Sequence, residues 1–202
     1  FEFDEKLHEY TNEEALAFLE KSLPGAFLPA GRNLEGLVTF GMGAADFDVN
    51  KMSGDRAQSL MFKANLLMYD GLTSTIEDAR KGCVFAMDTK GLGWHNFSME
   101  IEKKSSKLYQ DGYPIKIKGL EKKSVILCQD VYRIKIKAMF MINPPLILSV
   151  FIKICKVFLK KKLRDRMKNI KSEALPEHFD MSELPTELGG TFDTPFRVTP
   201  KP

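Results

Sequence analysis

Residues 134–145 read IKIKAMFMINPP, and the register of this run decides how the chain folds. Its first five residues close a 19-residue unit, Leu120–Ala138, that follows directly on a near-copy, Ile101–Gly119. Without gaps the two agree at 12 of 19 positions, including all of E-K-K-S and I-K-I-K. Copy one keeps Tyr113-Pro114 before its basic pair. Copy two has Tyr132-Arg133 there, but it alone runs straight into AMFMI. A strand needs continuous backbone pairing, and each buried polar group left without a partner costs about 1–3 kcal/mol. If copy one began the strand, residues 120–137 would bulge from its middle. The expected strand is therefore Ile134–Ile142. Val125, Ile126, Leu127 and Val131 would lie on its packing helix, and Tyr113–Gly119 in an exposed loop. A damaged fold is the alternative outcome of such a duplication.

Working outward, NEEALAFLEKS (12–22) has helical character, with Asn12 placed to cap and two Glu in the first turn. PGAFLPAGRNLEG is read as a turn-rich connector. GLVTFGMGA (36–44) alternates like a strand. A helix starts at Ser53 or Asp55, with Leu60, Met61, Ala64, Leu67 and Met68 as its apolar stripe. GCVFAMDT (82–89) is a short buried strand, and the loop KGLGWHNF leads to a helix beginning near Asn96. After the repeat, Asn143 is placed to cap and Pro144 to occupy the first turn of a helix through about Leu159. Leu163, Met167 and Ile170 are spaced for one buried edge. TFDTPFRVTPKP is a loosely held, Pro-rich tail. Strands separated by helical stretches predict an α/β domain: a mixed, largely parallel sheet flanked by helices.

With 202 residues, 44% of them apolar, the chain can bury one sizeable core. No run of about 18 uncharged apolar residues predicts a transmembrane helix. The chain starts at Phe1 and reads as a fragment, with no signal peptide in FEFDEKLHEY. Cys83, Cys128 and Cys155 are odd in number and widely spaced, which points to a reducing compartment rather than a disulfide framework. His8, His95 and His178 lie far apart, so no metal site is expected. No nucleophile elbow, P-loop or paired acid–base set occurs, so no catalytic residue and no enzyme activity is expected. Gly41-Met42-Gly43 lacks the third glycine of a phosphate loop, and Asp46, Asp48 and Asp88 have no second partner in view.

The charge is segregated. Residues 101–171 hold 19 Lys+Arg against 5 Asp+Glu, a net of +14, so the overall +3 leaves −11 for the rest. Such a block suits an anionic partner: membrane surface, nucleic acid or acidic protein. A solvated face is the bland alternative. In I-K-I-K, lysines alternate with isoleucines, so on a strand Lys116 and Lys118, or Lys135 and Lys137, share one side. Lys162 and Arg166 are four apart and would share a helical face. Lysines with an arginine fork can grip a phosphorylated headgroup.

In NPPLILSVFIKICKVFLKKK, Ser149, Lys153, Lys156 and Lys160 form one narrow polar stripe and nearly all else is apolar. This arc is wider than one core-facing helix needs. Either the helix is buried on two sides, or it covers an apolar cavity and touches lipid with its other face.

Together these pieces resemble the CRAL-TRIO lipid-binding family. The matching motifs, from about Leu23 to Gly190, are LPGAFLPAGRNLEG, GCVFAMDTKG, WHNF, YQDGYPIKIK, MINPP, FLKKKLRDRM and LPTELGG. The subgroup it is most similar to holds the tocopherol and retinaldehyde carriers and the lipid-binding domain of a tyrosine phosphatase; the phosphatase signature itself is absent. The resemblance implies a residual N-terminal helical segment (1–22), a lipid-binding domain (23–192) carrying the duplication at 101–138, and a C-terminal tail (193–202). It implies an apolar pocket closed by a gate helix, Leu146–Leu159, with Leu146, Ile147 and Val150 at the membrane. It implies phosphoinositide headgroup contacts by Lys116 and Lys118 (or Lys135 and Lys137), Lys162 and Arg166. Expected pocket residues are Phe85, Met87, Trp94, Phe97, Phe140, Ile142, Phe151, Ile154 and Phe158. The chain departs from the family in lacking its three-helix N-terminal domain, in reading Lys156-Val157-Phe158-Leu159 for Lys-Pro-Phe-Leu, and in carrying two copies of the repeated unit.

The resulting expectation is a monomeric, cytoplasmic, reversibly membrane-associated carrier or sensor of a hydrophobic ligand. It needs no cofactor beyond that ligand. The alternative is a protein-interaction or membrane-targeting module without a transported ligand. Nucleic-acid binding is not expected, because Phe158 is the only aromatic in residues 153–171.

Overall fold

A computed structural model describes residues 9–103, 135–155 and 159–193. The chain enters through α1 (Asn12–Ser22), whose start is fixed by Thr11 rather than Asn12. The Thr11 hydroxyl accepts from the Glu14 amide at 3.1 Å, and the Glu14 carboxylate accepts from the Thr11 amide at 2.8 Å. This reciprocal cap satisfies two otherwise orphaned donors.

The expected connector contains a strand. β1 (Leu28–Arg32) pairs antiparallel with β2 (Val38–Gly43) and forms the sheet edge. α2 (Asp55–Leu72) and α3 (Ile76–Lys81) then lead to β3 (Cys83–Asp88), which lies parallel to β2. Residues 99–103 are helical, and Ser98 opens this helix, not Asn96: its hydroxyl accepts from the Ile101 amide and its carbonyl from Glu102. β4 (Ile136–Ile142) is parallel to β3, α4 covers Leu146–Cys155, α5 is the short turn Lys161–Arg164, and β5 (Met167–Ile170) is parallel to β4. The five strands lie in sequence order β1-β2-β3-β4-β5. The sheet is mixed, mostly parallel and flanked by helices, as expected. The basic stretch after Leu163 forms a strand where a helical edge was expected; Leu163 is buried, while Met167 and Ile170 are only partly so.

Copy two supplies β4. Ile136 and Lys137, the end of its I-K-I-K, are in the strand. Copy one's Lys116 and Lys118, its Tyr113–Gly119 loop and the packing helix expected at Val125–Val131 lie outside the described residues.

A bulge at Lys137 resets the strand. Cys83 is level with Ile136, but the next residue, Val84, is level with Ala138. One extra residue changes the phase of alternation. Ile136 therefore joins the α1/α2 side with Cys83 and Phe85, while Ala138, Phe140 and Ile142 join Val84 and Ala86 on the other side.

Each sheet face has its own core. One gathers Phe40, Phe85 and Ile136 against Ala15 and Leu19 of α1 and Leu60, Met61, Phe62, Ala64 and Met68 of α2. The other packs Phe140 and Ile142 under Leu175, Phe179, Leu184 and Leu188, from the turns that follow β5. Burying one such large side chain is worth about 1.5–3 kcal/mol.

Asn143 does not cap a helix. It turns the chain at the end of β4 with a φ of 52°, held by Ser172 through a 2.6 Å bond from its amide nitrogen and a 3.1 Å bond to its carbonyl oxygen. Asparagine tolerates this left-handed conformation better than most side chains. The helix begins only after both prolines, at Leu146, and is described as far as Cys155; Leu159 is not helical.

Candidate functional site

A cavity of about 210 Å³ lies on the α2 side of the sheet. Its floor is Met42 of β2, Met87 of β3, and Met139 and Met141 of β4. Its walls are Met61, Phe62 and Asn65 of α2, the 96–102 segment, and Leu148, Phe151 and Ile152 of α4, with Leu163 and Met167 at the side. Seven methionines line it. Their unbranched, polarisable side chains fit irregular apolar shapes.

α4 has two distinct faces. Leu148 and Phe151 are buried, while Leu146 is 92% exposed and Val150 41%. Ile147 and Ile154 are half-buried. Burial on two sides is thus not what explains its apolar width. The helix is tied to the turn before residue 98 by three rings. Phe97 stacks on Phe151 at 4.7 Å, and Trp94 meets Phe151 edge-on at 4.9 Å and Phe97 at 6.2 Å.

Of the expected pocket residues, Met87, Phe97 and Phe151 are on the cavity wall. Phe140 and Ile142 are not, because alternation aims them at the opposite core; their neighbours Met139 and Met141 take the wall instead. Phe85 points to the cavity side but is consumed in the core against Phe40, 5.0 Å between centroids. Trp94 is 58% exposed and packs outside the wall. Ile154 sits near the end of α4, off the Leu148–Phe151–Ile152 face. Phe158 lies outside the described residues. Met52, Met61 and Asn65 were missed. The apolar stripe of α2 marked it as amphipathic, but no local pattern says that part of a stripe faces empty space.

The basic residues divide. Lys137 and Lys162 are exposed. The Lys135 ammonium donates to the Arg80 carbonyl at 2.6 Å. Arg166 lies past the end of α5 rather than on a shared helical face with Lys162. Its guanidinium donates to the Ile136 carbonyl, which brings it to the bulge where Lys137 sits. Lys161 is paired with Asp165 at 2.6 Å. Lys116 and Lys118 are outside the described residues.

Among the described residues four polar side chains reach the cavity: Asn65, Asn96, Ser98 and Glu102. Asn96 is structural, donating to the Ala45 and Phe47 carbonyls at 2.9 and 3.0 Å and accepting from the Gly93 amide. Burial pushes the Glu102 carboxyl up to about 7. Among the described residues no group of His, Cys, Asp and Glu is arranged to hold a metal ion, and no helix is long and apolar enough to cross a membrane.

Residues 119–190 match the family model of the CRAL/TRIO domain. That span holds copy two and the last residue of copy one. The non-receptor type 9 tyrosine-protein phosphatase of Mus musculus is 25% identical over 134 residues, 66% of this chain and 19% of that protein. The Homo sapiens counterpart is 24% identical over 133 residues, with the same shares. The chain thus spans 19% of the length of these curated relatives. The crystal structure of Sfh5 superposes with a TM-score of 0.44 at 13% identity, covering 83% of this chain and 53% of that one. Over residues 119–190 the chain is therefore similar to CRAL/TRIO domains.

Proposed function

We propose that this chain carries or senses one lipid-like molecule, held in the methionine-lined cavity and exchanged at an anionic membrane surface. One observation carries the reading: α4 closes the cavity with Leu148 and Phe151 while presenting Leu146 and Val150 outward. A helix apolar on both faces is suited to exchange a cavity contact for a membrane contact.

The cavity, at about 210 Å³, is smaller than the roughly 300–1,000 Å³ of most small-molecule pockets. Loading therefore needs α4 to move outward. A membrane that favours the moved state shifts the population toward it, and water favours closure. Lys137 and Arg166 meet at a basic corner, the β4 bulge; together with Lys135, Lys162, Lys116 and Lys118 they are the groups proposed to meet phosphoinositide headgroups.

Extraction of the purified protein with organic solvent, followed by mass spectrometry, tests the cavity. A stoichiometric hydrophobic molecule is expected. Its absence, together with no uptake from vesicles, would favour an interaction module. Vesicle sedimentation tests the basic corner: binding to phosphoinositide vesicles should weaken as salt rises. Binding that ignores salt would remove the headgroup role.

A further inference from the structure

Among the described residues Glu102 is the one ionisable side chain on the cavity wall, with no Lys, Arg, His or Asp beside it. It sits one helical turn after the capping Ser98, with its amide donating to the Ser98 carbonyl at 2.9 Å. Its carboxyl makes no hydrogen bond or ion pair among the described residues. Its neighbours are otherwise occupied: Glu100 accepts from Gln58 at 3.4 Å, and Lys103 is exposed. The opposing walls, from α2, β4 and α4, offer only apolar groups and Asn65.

An unpartnered carboxyl on an apolar wall is costly unless something arrives to satisfy it. We propose that Glu102 reads the polar end of the bound molecule, accepting a neutral hydroxyl and rejecting an anionic head. This rests on the cavity reading above. A hydroxyl supplies the donor that a carboxylate lacks. An anion would meet a like charge, and no cation among the described wall residues would offset it. The fitting ligand is therefore an uncharged lipid ending in a hydroxyl group, rather than a free fatty acid.

Decanol and decanesulfonate test this, since they share a chain length and the sulfonate does not titrate. Binding to the purified protein is followed by displacement of a fluorescent apolar probe at about pH 8, where the carboxyl is mostly ionised. Wild-type protein should prefer decanol by about tenfold or more, and Glu102→Gln should cut that preference to within about threefold by tightening sulfonate binding. An unchanged preference in the variant overturns the proposal, as does equal affinity for both probes in wild-type protein. If wild-type protein binds neither probe, the cavity reading falls and this inference falls with it. Glu102→Leu with a matched melting curve controls for folding. It should lose decanol affinity and gain sulfonate affinity; retained decanol preference in this variant counts against the role.

Discussion

The Phe97 ring lies flat against the Phe151 ring, 4.7 Å between centroids and 18° between planes, and this stack fastens α4 over the cavity. Such pairs contribute about 0.5–1.5 kcal/mol beyond area burial. Phe97→Ala should therefore ease opening by about 1 kcal/mol and speed ligand exchange roughly fivefold. Trp94 is the sole tryptophan and touches both rings, so its fluorescence in a stopped-flow experiment reports the step. Exchange at the wild-type rate would detach the stack from opening.

Two carboxyls give opposite pH dependences. The Asp78 carboxylate accepts from the Arg32 guanidinium at 2.7 Å and from the Thr75 hydroxyl at 2.8 Å, and these bonds, Arg32 foremost, hold it below its ordinary 3.8. A lowered folded-state value stabilises the fold above the unfolded pKa, and that contribution is lost as pH falls through the folded value. Asp78→Asn should lower the melting temperature at neutral pH and flatten the loss of stability below about pH 4.

Glu102 works the other way. Its folded value of about 7 lies above its ordinary 4.5. The contribution is full below about pH 4.5 and is lost as pH rises through about 7. Acidifying from about pH 8 to 5 should thus add about 1–3 kcal/mol, reduced by partial solvent access. Urea unfolding across this window should show the rise in wild-type protein and not in Glu102→Gln.

Gly82 joins α3 to β3 with a φ of 89°, and a Cβ there would stand 2.2 Å from the Lys135 carbonyl oxygen. That carbonyl accepts from the Cys83 amide at 3.0 Å and cannot move without breaking the first rung between β3 and β4. Gly82→Ala should cost at least about 2 kcal/mol, measured by chemical denaturation. A neutral result would mean that the start of β4 is not held there.

The tandem unit makes a larger test possible. Deleting residues 101–119 joins Glu100 to Leu120-Glu121, which replace Ile101-Glu102 like for like. The sheet and the cavity acid are then both retained, so the shortened chain should fold and bind the same probes. Loss of cooperative unfolding in this variant would show that copy one is required for the fold.

Much of the fold was legible locally. β3 opens on the apolar run Cys83–Met87 because a strand paired in parallel and covered on both faces has no polar side, while β2 was readable from its alternation. α2 carries its stripe at helical spacing. β1 was illegible because LPAGR has turn-like composition. It becomes a strand by pairing with β2 and by lying against the chain near Glu183, whose carbonyl accepts from the Gly31 amide at 2.8 Å and whose side chain accepts from the Arg32 amide at 3.1 Å. Those contacts bridge some 150 residues, and no local window contains them. Asn143 and the two prolines form a good capping signal, yet Ser172 claims the asparagine first.

By itself the sequence determined that copy two, not copy one, continues into the strand, because hydrogen-bonded pairing tolerates no long interruption. It determined a parallel-rich sheet and a helix apolar on more than one side. Only the tertiary structure decided which methionines and phenylalanines face the hollow. Alternation sorts a strand into two faces but cannot say which face is left unfilled, and the bulge at Lys137 exchanges the faces within β4 itself.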